Sequence, residues 1–281
     1  MTASQAQPSS LQEVAGTIVL IGAGKMGAAM LDGWIGLGLE PSRVAVIEPQ
    51  PSREISALAA RGVKLNPDPA AVPDPAVIVI AVKPQVAAKV VPDAAPLVGR
   101  STVIVSIMAG QRLAALERAL PAGSAIVRTM PNTPAAIGRG ITVAVANARV
   151  SPPQRDLAHR LLAAIGAVEW VDDEGLLDAV TAVSGSGPAY VFLLAEALAQ
   201  AGAAAGLPAD LAERLARATV AGSGELLHRS PLAAATLRRN VTSPGGTTEA
   251  ALGVLMGEGG LAPLMRQAVA AATRRSRELA G

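Results

Sequence analysis

Short apolar runs and longer amphipathic stretches alternate along the first part of the chain. Thr17-Ile18-Val19-Leu20-Ile21 is an unbroken, largely β-branched run ending at a glycine. That is the pattern of a strand buried on both faces of a parallel sheet. Comparable runs at 44–47, 63–65, 77–82, 102–106, 125–127, 141–145 and 168–171 are predicted strands. Between them, 28–37, 52–61 and 151–165 carry helical spacing. Ser151-Pro152-Pro153 supplies a cap and first-turn prolines for the last of these. Strands interleaved with helices predict an α/β fold on a parallel sheet.

After Glu174 the strand pattern stops. Helices are expected over 176–182, 189–205, 209–227, 231–238, 250–256 and 261–279. Ser184-Gly185-Ser186-Gly187-Pro188 and Gly206-Leu207-Pro208 mark breaks between them. The longest apolar segment, 190–206, carries Glu196 and Gln200, and reads as a buried helix rather than a membrane span. These Ala- and Gly-rich helices offer more apolar surface than one subunit can bury, so an intertwined homodimer is expected. The chain therefore divides into a loose tail at 1–14, a sheet domain at 15–172 and a helical domain at 173–281.

Composition narrows the function. Hydrophobic residues make up 51% of 281, ample for a core. The aromatic residues are Trp34, Trp170, Tyr190 and Phe192, too few for a surface that stacks bases, so no nucleic-acid partner is expected. A formal charge of +2, with no basic run longer than a pair such as Arg274-Arg275, gives no electrostatic footprint for a polyanion. Cysteine is absent, which excludes disulfides, thiolate metal sites and a cysteine nucleophile. His159 and His228 are far apart, and no metal site is expected. The first fourteen residues lack a basic start and an apolar run, so a soluble, cytoplasmic protein with no membrane partner is expected.

The chemistry starts at Gly22-Ala23-Gly24-Lys25-Met26-Gly27, a G-x-G-x-x-G run between the first strand and first helix. That order is what a dinucleotide site needs. Gly22 permits the tight turn, Gly24 lets the backbone approach a pyrophosphate, and Gly27 lets the helix pack close. The second strand ends at Glu48, where a carboxylate can accept both ribose hydroxyls of NADH and repel the 2′-phosphate of NADPH. Gln50, Ser52 and Arg53 follow and can bind that phosphate, so the choice between NAD(H) and NADP(H) stays open. Ala81-Val82-Lys83-Pro84, Ile107-Met108-Ala109 and Met130-Pro131-Asn132-Thr133-Pro134 close later strands, and are expected to line the nicotinamide end.

A second cluster lies far downstream. Ser243-Pro244-Gly245-Gly246-Thr247-Thr248 sits between helical stretches. It reads either as an elaborate helix cap or as a substrate loop, with glycine N–H groups forming a nest and hydroxyls adding donors.

Taken in order, the glycine run, Ala81-Val82-Lys83-Pro84, Met130-Pro131-Asn132-Thr133-Pro134, Ser184-Gly185-Ser186-Gly187-Pro188-Ala189-Tyr190 and Ser243-Pro244-Gly245-Gly246-Thr247-Thr248 resemble the pyrroline-5-carboxylate reductase family over about residues 17–279. The resemblance implies an N-terminal Rossmann-type domain and a C-terminal all-helical dimerisation domain, with dimers able to assemble further. It implies cofactor contacts from Ile21 to Met26, Ala81 to Pro84 and Ile107 to Ala109. It also implies substrate contacts from Asn240, Thr247, Thr248 and the loop backbone from Ser243, with Glu174 matched by position. The implied reaction is reduction of a five-membered cyclic imine to L-proline, the last step of proline biosynthesis. A protonated imine is already electrophilic, so orientation matters more than a strong acid. Thr248 is the residue expected to bond the ring nitrogen. Lys25 and Glu48 depart from the family pattern, and Glu48 bears on cofactor choice. Dehydrogenases of the 6-phosphogluconate type share such an N-terminus but use a lysine and an asparagine on the helix that here follows Tyr190. That helix has neither.

Overall fold

The computed structural model describes residues 10–280. Residues 10–185 together with 273–280 form one compact unit, and Ser186–Ala272 forms the other. The division expected from sequence lies earlier, at residue 172.

The first unit is an eight-stranded sheet in the order β3-β2-β1-β4-β5-β6-β7-β8. The strands are β1 (Ile18–Ile21), β2 (Val44–Ile47), β3 (Lys64–Leu65), β4 (Val77–Ile80), β5 (Val103–Ser106), β6 (Ala125–Met130), β7 (Gly140–Ala146) and β8 (Gly166–Trp170). β1 to β6 run parallel, whereas β7 is antiparallel to β6, and β8 is parallel to β7. The parallel sheet expected from sequence is thus present from β1 to β6, and only its far edge reverses. The link from β6 to β7 is a short loop with one 3-10 turn (Thr133–Ile137), too short for the dozen or so residues of a parallel crossover.

Alternation along each central strand feeds two helical layers. Ile18, Leu20, Val77 and Val79 face one cluster with Met30, Trp34, Ile55 and Leu161. Val19, Ile78, Ile80 and Ile104 face the other with Val91 and Leu116. The first layer comprises α1 (Lys25–Gly36), α2 (Arg53–Ala59) and α5 (Pro152–Ala163); the second comprises α3 (Ala87–Asp93) and α4 (Leu113–Ala119). Gly33 lets α1 approach α5, since a Cβ there would lie 2.8 Å from the Ala164 carbonyl oxygen. Fully buried Trp34 then donates from Nε1 to the Leu161 carbonyl at 2.9 Å.

The N-terminal tail differs from expectation. Residues 1–9 lie outside the described residues, but Leu11 and Val14 are buried in the core. The Leu11 N–H donates to the Leu37 carbonyl, and Arg43 donates to the Val14 carbonyl at 2.7 Å. The two apolar side chains dock there because burying them outweighs the entropy of ordering a few residues.

The sheet unit continues through α6 (Leu176–Val180) and a π turn (Thr181–Gly185). Its last piece is the end of α11 (Leu261–Leu279), where Ser276 Oγ donates to the buried carboxylate of Asp178 at 2.7 Å.

The second unit holds α7 (Gly187–Ala204), α8 (Ala209–Arg229), α9 (Ala234–Asn240), α10 (Thr247–Leu255) and α11 up to residue 272. No residue of α7 is buried, contrary to the buried helix expected there. Phe192 is 67% exposed and Leu193 62%. The stretch Leu176–Ala204 is long and apolar enough to cross a membrane by length and composition alone.

Candidate active site

The glycine run forms the turn between β1 and α1. Gly22 has φ +91°, and a Cβ there would meet the Ala81 carbonyl oxygen at 2.7 Å. A Cβ on Gly27 would overlap the Gly22 carbonyl oxygen. Gly24, by contrast, faces open space. Two glycines are thus required by the fold, while the third leaves a cradle beside the N-terminus of α1. A dinucleotide pyrophosphate fits that cradle, with the first-turn N–H groups as donors.

A cavity of 720 Å³ opens at the carboxyl ends of β1, β2 and β4. Ile21, Gly22, Gly24, Glu48, Ala81, Val82 and Lys83 line it, seven of the expected cofactor residues. Ala23 contributes its N–H, which donates to Glu48 Oε2 at 2.9 Å. Lys25 is exposed in the first turn of α1, followed by Met26, half-buried against the core. Gln50, Arg53 and Pro84 stand outside the lining, as do Ile107 and Ala109. Met108 is 1% exposed and packs with the core, and its N–H donates to Ser106 Oγ at 3.4 Å, so it too stands outside the lining.

Sequence reasoning missed Asn66, which also lines the cavity. Its Oδ1 accepts the Glu48 N–H at 2.8 Å, and its Nδ2 donates to the Glu48 carbonyl at 3.0 Å. Asn66 has φ +47°, a conformation asparagine tolerates. The Asn66-Pro67 turn dipeptide after β3 was the available signal. Lys89 and Asp93 reach the cavity from α3, a helix the sequence pattern did not reveal.

A second cavity of 800 Å³ lies at the opposite end of the sheet, where Ala76 and Thr102 precede β4 and β5. Its polar groups are largely spent on one another. Gln154 Nε2 donates to the Ser101 carbonyl, and Thr102 Oγ1 to the Pro75 carbonyl. Open α/β sheets bind ligands beyond the carboxyl ends of their strands, which selects the smaller cavity.

At the end of β6, Asn132 ties its loop down. Its Oδ1 accepts the Ile141 N–H at 2.9 Å, and its Nδ2 donates to the Ser184 carbonyl at 3.2 Å. Glu174 is held nearby in the same unit. Its Oε1 accepts from Arg128 Nη1 and from the Leu113 N–H, both at 2.7 Å. Its carboxylate is thus engaged with Arg128 and with the N-terminus of α4.

In the helical unit, the 243–248 stretch joins α9 to α10. Gly245 has φ +69°, and Gly246 is the N-cap. The expected nest of glycine N–H groups takes another form. The Gly245 N–H donates to Glu249 Oε2 at 2.7 Å, and the Gly246 N–H to the Ser243 carbonyl at 3.0 Å. Both serve to close the turn and start the helix. What remains for a ligand is the first-turn N–H groups of Thr247 and Thr248, which have no intrahelical acceptors. Among the described residues, no hydrogen bond engages the hydroxyls of Ser243, Thr247 or Thr248, or the Asn240 amide. No cluster of three or more His, Cys, Asp or Glu suited to a metal occurs among the described residues.

Two segments of the chain match known families. Residues 174–279 match the family model described as pyrroline-5-carboxylate reductase dimerisation, and residues 17–110 one described as NADP oxidoreductase coenzyme F420-dependent. The pyrroline-5-carboxylate reductase of Pseudomonas aeruginosa is 42% identical, over 94% of this chain and 96% of its own. That of Pisum sativum is 38% identical over the same shares. Among solved structures, a pyrroline-5-carboxylate reductase from Coxiella burnetii superposes with TM-score 0.88 at 34% identity, covering 95% of this chain and 100% of its own. The Plasmodium falciparum enzyme, solved with NADP bound, gives TM-score 0.80 at 27% identity, over 95% and 98%. With a dinucleotide cradle in its sheet unit and relatives of this identity over nearly its whole length, the chain belongs to the pyrroline-5-carboxylate reductase family.

Proposed function

We propose that the Ser243–Thr248 loop holds the carboxylate of the cyclic imine, while the sheet unit binds the hydride donor. The reaction is the NAD(P)H-dependent reduction of pyrroline-5-carboxylate to L-proline. The bound cofactor supplies a hydride to C5. A carbon–hydrogen bond forms there, the carbon–nitrogen π pair moves to the protonated ring nitrogen, and that nitrogen stays in the ring as a secondary amine.

The chain's own part is orientation. Gly24 leaves room where a pyrophosphate would be held, and Lys25 would add positive charge to it at the N-terminus of α1. The substrate carboxylate is met by the free first-turn N–H groups of α10 and the hydroxyls of Ser243 and Thr247. Thr248 Oγ1 bonds the ring nitrogen, and Asn240 adds a donor from the end of α9. Glu174 acts through Arg128 and the start of α4, not by touching substrate. The observation that carries this reading is the set of uncommitted hydroxyls and N–H groups around the first turn of α10.

The exposed apolar side chains of α7 support covering of this unit by a second copy. Phe192, Leu193, Leu194 and Leu198 are all exposed in the single chain, within the stretch that matches the dimerisation model. A homodimer, able to assemble further, is the proposed working form. Initial-rate assays with pyrroline-5-carboxylate and each reduced nicotinamide in turn test the reaction. Substrate-dependent loss of nicotinamide absorbance is expected. Dinucleotide binding without turnover would instead favour a redox-sensing protein.

A further inference from the structure

We propose that Glu48 makes this protein select NADH over NADPH, an inference that rests on the dinucleotide reading of the sheet unit. Glu48 directly follows β2 and lines the 720 Å³ cavity. Four hydrogen bonds hold it. Oε2 accepts from the Ala23 N–H at 2.9 Å, and Oε1 from the Gln50 N–H at 3.0 Å. Asn66 takes both peptide groups of Glu48, accepting its N–H at 2.8 Å and donating to its carbonyl at 3.0 Å. The carboxylate is therefore a fixed feature of the wall and cannot swing away without breaking two backbone bonds.

An ionised carboxylate accepts about four hydrogen bonds. Two positions remain, matching the two hydroxyls of an unmodified ribose. A 2′-phosphate offers no such pair of donors and brings up to about two negative charges against a third. Compensation is poorly placed. Arg53, the first residue of α2, is exposed and outside the cavity lining. The Ser52 hydroxyl accepts the Ile55 N–H as the cap of that helix. Lys83, past the end of β4, and Lys89, on α3, reach the lining, where Asp93 accompanies them.

Calorimetric titration of the intact protein with NADH and with NADPH tests this without turnover. The dissociation constant for NADH should be lower by about tenfold or more, the equivalent of about 1.4 kcal/mol. Glu48→Ser should abolish that preference. The isosteric Glu48→Gln should narrow it and, having the same shape, also reports should the serine variant fold poorly. Equal or tighter NADPH binding by the unmodified protein, or a preference unchanged in both variants, would overturn the inference. Failure to bind either dinucleotide would overturn it together with the reading beneath it, so the two failures are distinguishable.

Discussion

Arg128 donates from Nη1 to Glu174 Oε1 at 2.7 Å, with the arginine side chain only 5% exposed and the glutamate 27%. An arginine on a buried strand has no water to solvate it, and the same glutamate oxygen also takes the Leu113 N–H. Removing one partner strands the other, which typically costs about 3–5 kcal/mol. Arg128→Met is expected to lower the melting temperature sharply. Arg128→Met with Glu174→Gln should cost less than the two single changes added together. If Glu174 instead binds substrate, Glu174→Gln will raise KM and leave the melting temperature unchanged.

The glycines of the β1–α1 turn separate fold from binding. Gly24→Ala places a methyl in open space, so thermal stability should hold while dinucleotide affinity falls. Gly27→Ala drives a methyl into the Gly22 carbonyl, so stability itself should fall, in the range of about 1–3 kcal/mol typical of overpacking. Differential scanning fluorimetry beside nucleotide titration reads both. Equal loss of stability in the two variants would contradict the assignment of Gly24 to the cradle.

In the substrate loop, the Thr248 hydroxyl is uncommitted, whereas Thr242 Oγ1 already donates to the Arg238 carbonyl at 2.7 Å. Thr248→Val is expected to lower kcat/KM by about 1–3 kcal/mol of transition-state stabilisation, the worth of one buried hydrogen bond. Thr242→Val should leave kcat/KM nearly unchanged. Steady-state kinetics on both variants decides, and an unaffected Thr248→Val enzyme removes that residue from the mechanism.

The exposed face of α7 predicts concentration-dependent assembly. Phe192→Glu or Leu193→Glu would place a charge where a second copy is expected to bury it. Light scattering coupled to size exclusion should show a dimer or larger in the unmodified protein and a smaller species in either variant. Unaltered mass in both would place the subunit interface elsewhere.

Much of the sheet was readable from sequence because a strand buried on both faces is a continuous β-branched run. What such a run lacks is direction, so the reversal of β7 and β8 was invisible. Short elements were lost for separate reasons. α3 contains Pro92, and α4 spans only seven residues. The last strand before the reversal reads from sequence as 125–127 because Arg128 ends the apolar run. β6 in fact continues to Met130, since Glu174 supplies the countercharge that lets Arg128 be buried. At the candidate site, the glycine turn and Glu48 were legible as local motifs. Asn66, Lys89 and the use of Gly245 N–H by Glu249 were not, because each depends on a tertiary or turn contact that no spacing rule encodes.

Hydride transfer to a cyclic imine is followed most directly by isotope tracing. Pyrroline-5-carboxylate should be turned over by the purified protein with a reduced nicotinamide deuterated at its transferring carbon, and the product read by mass spectrometry and proton NMR. L-proline carrying a single deuterium at C5 is expected. Proline without deuterium, or no proline at all from protein that binds the dinucleotide, would contradict it.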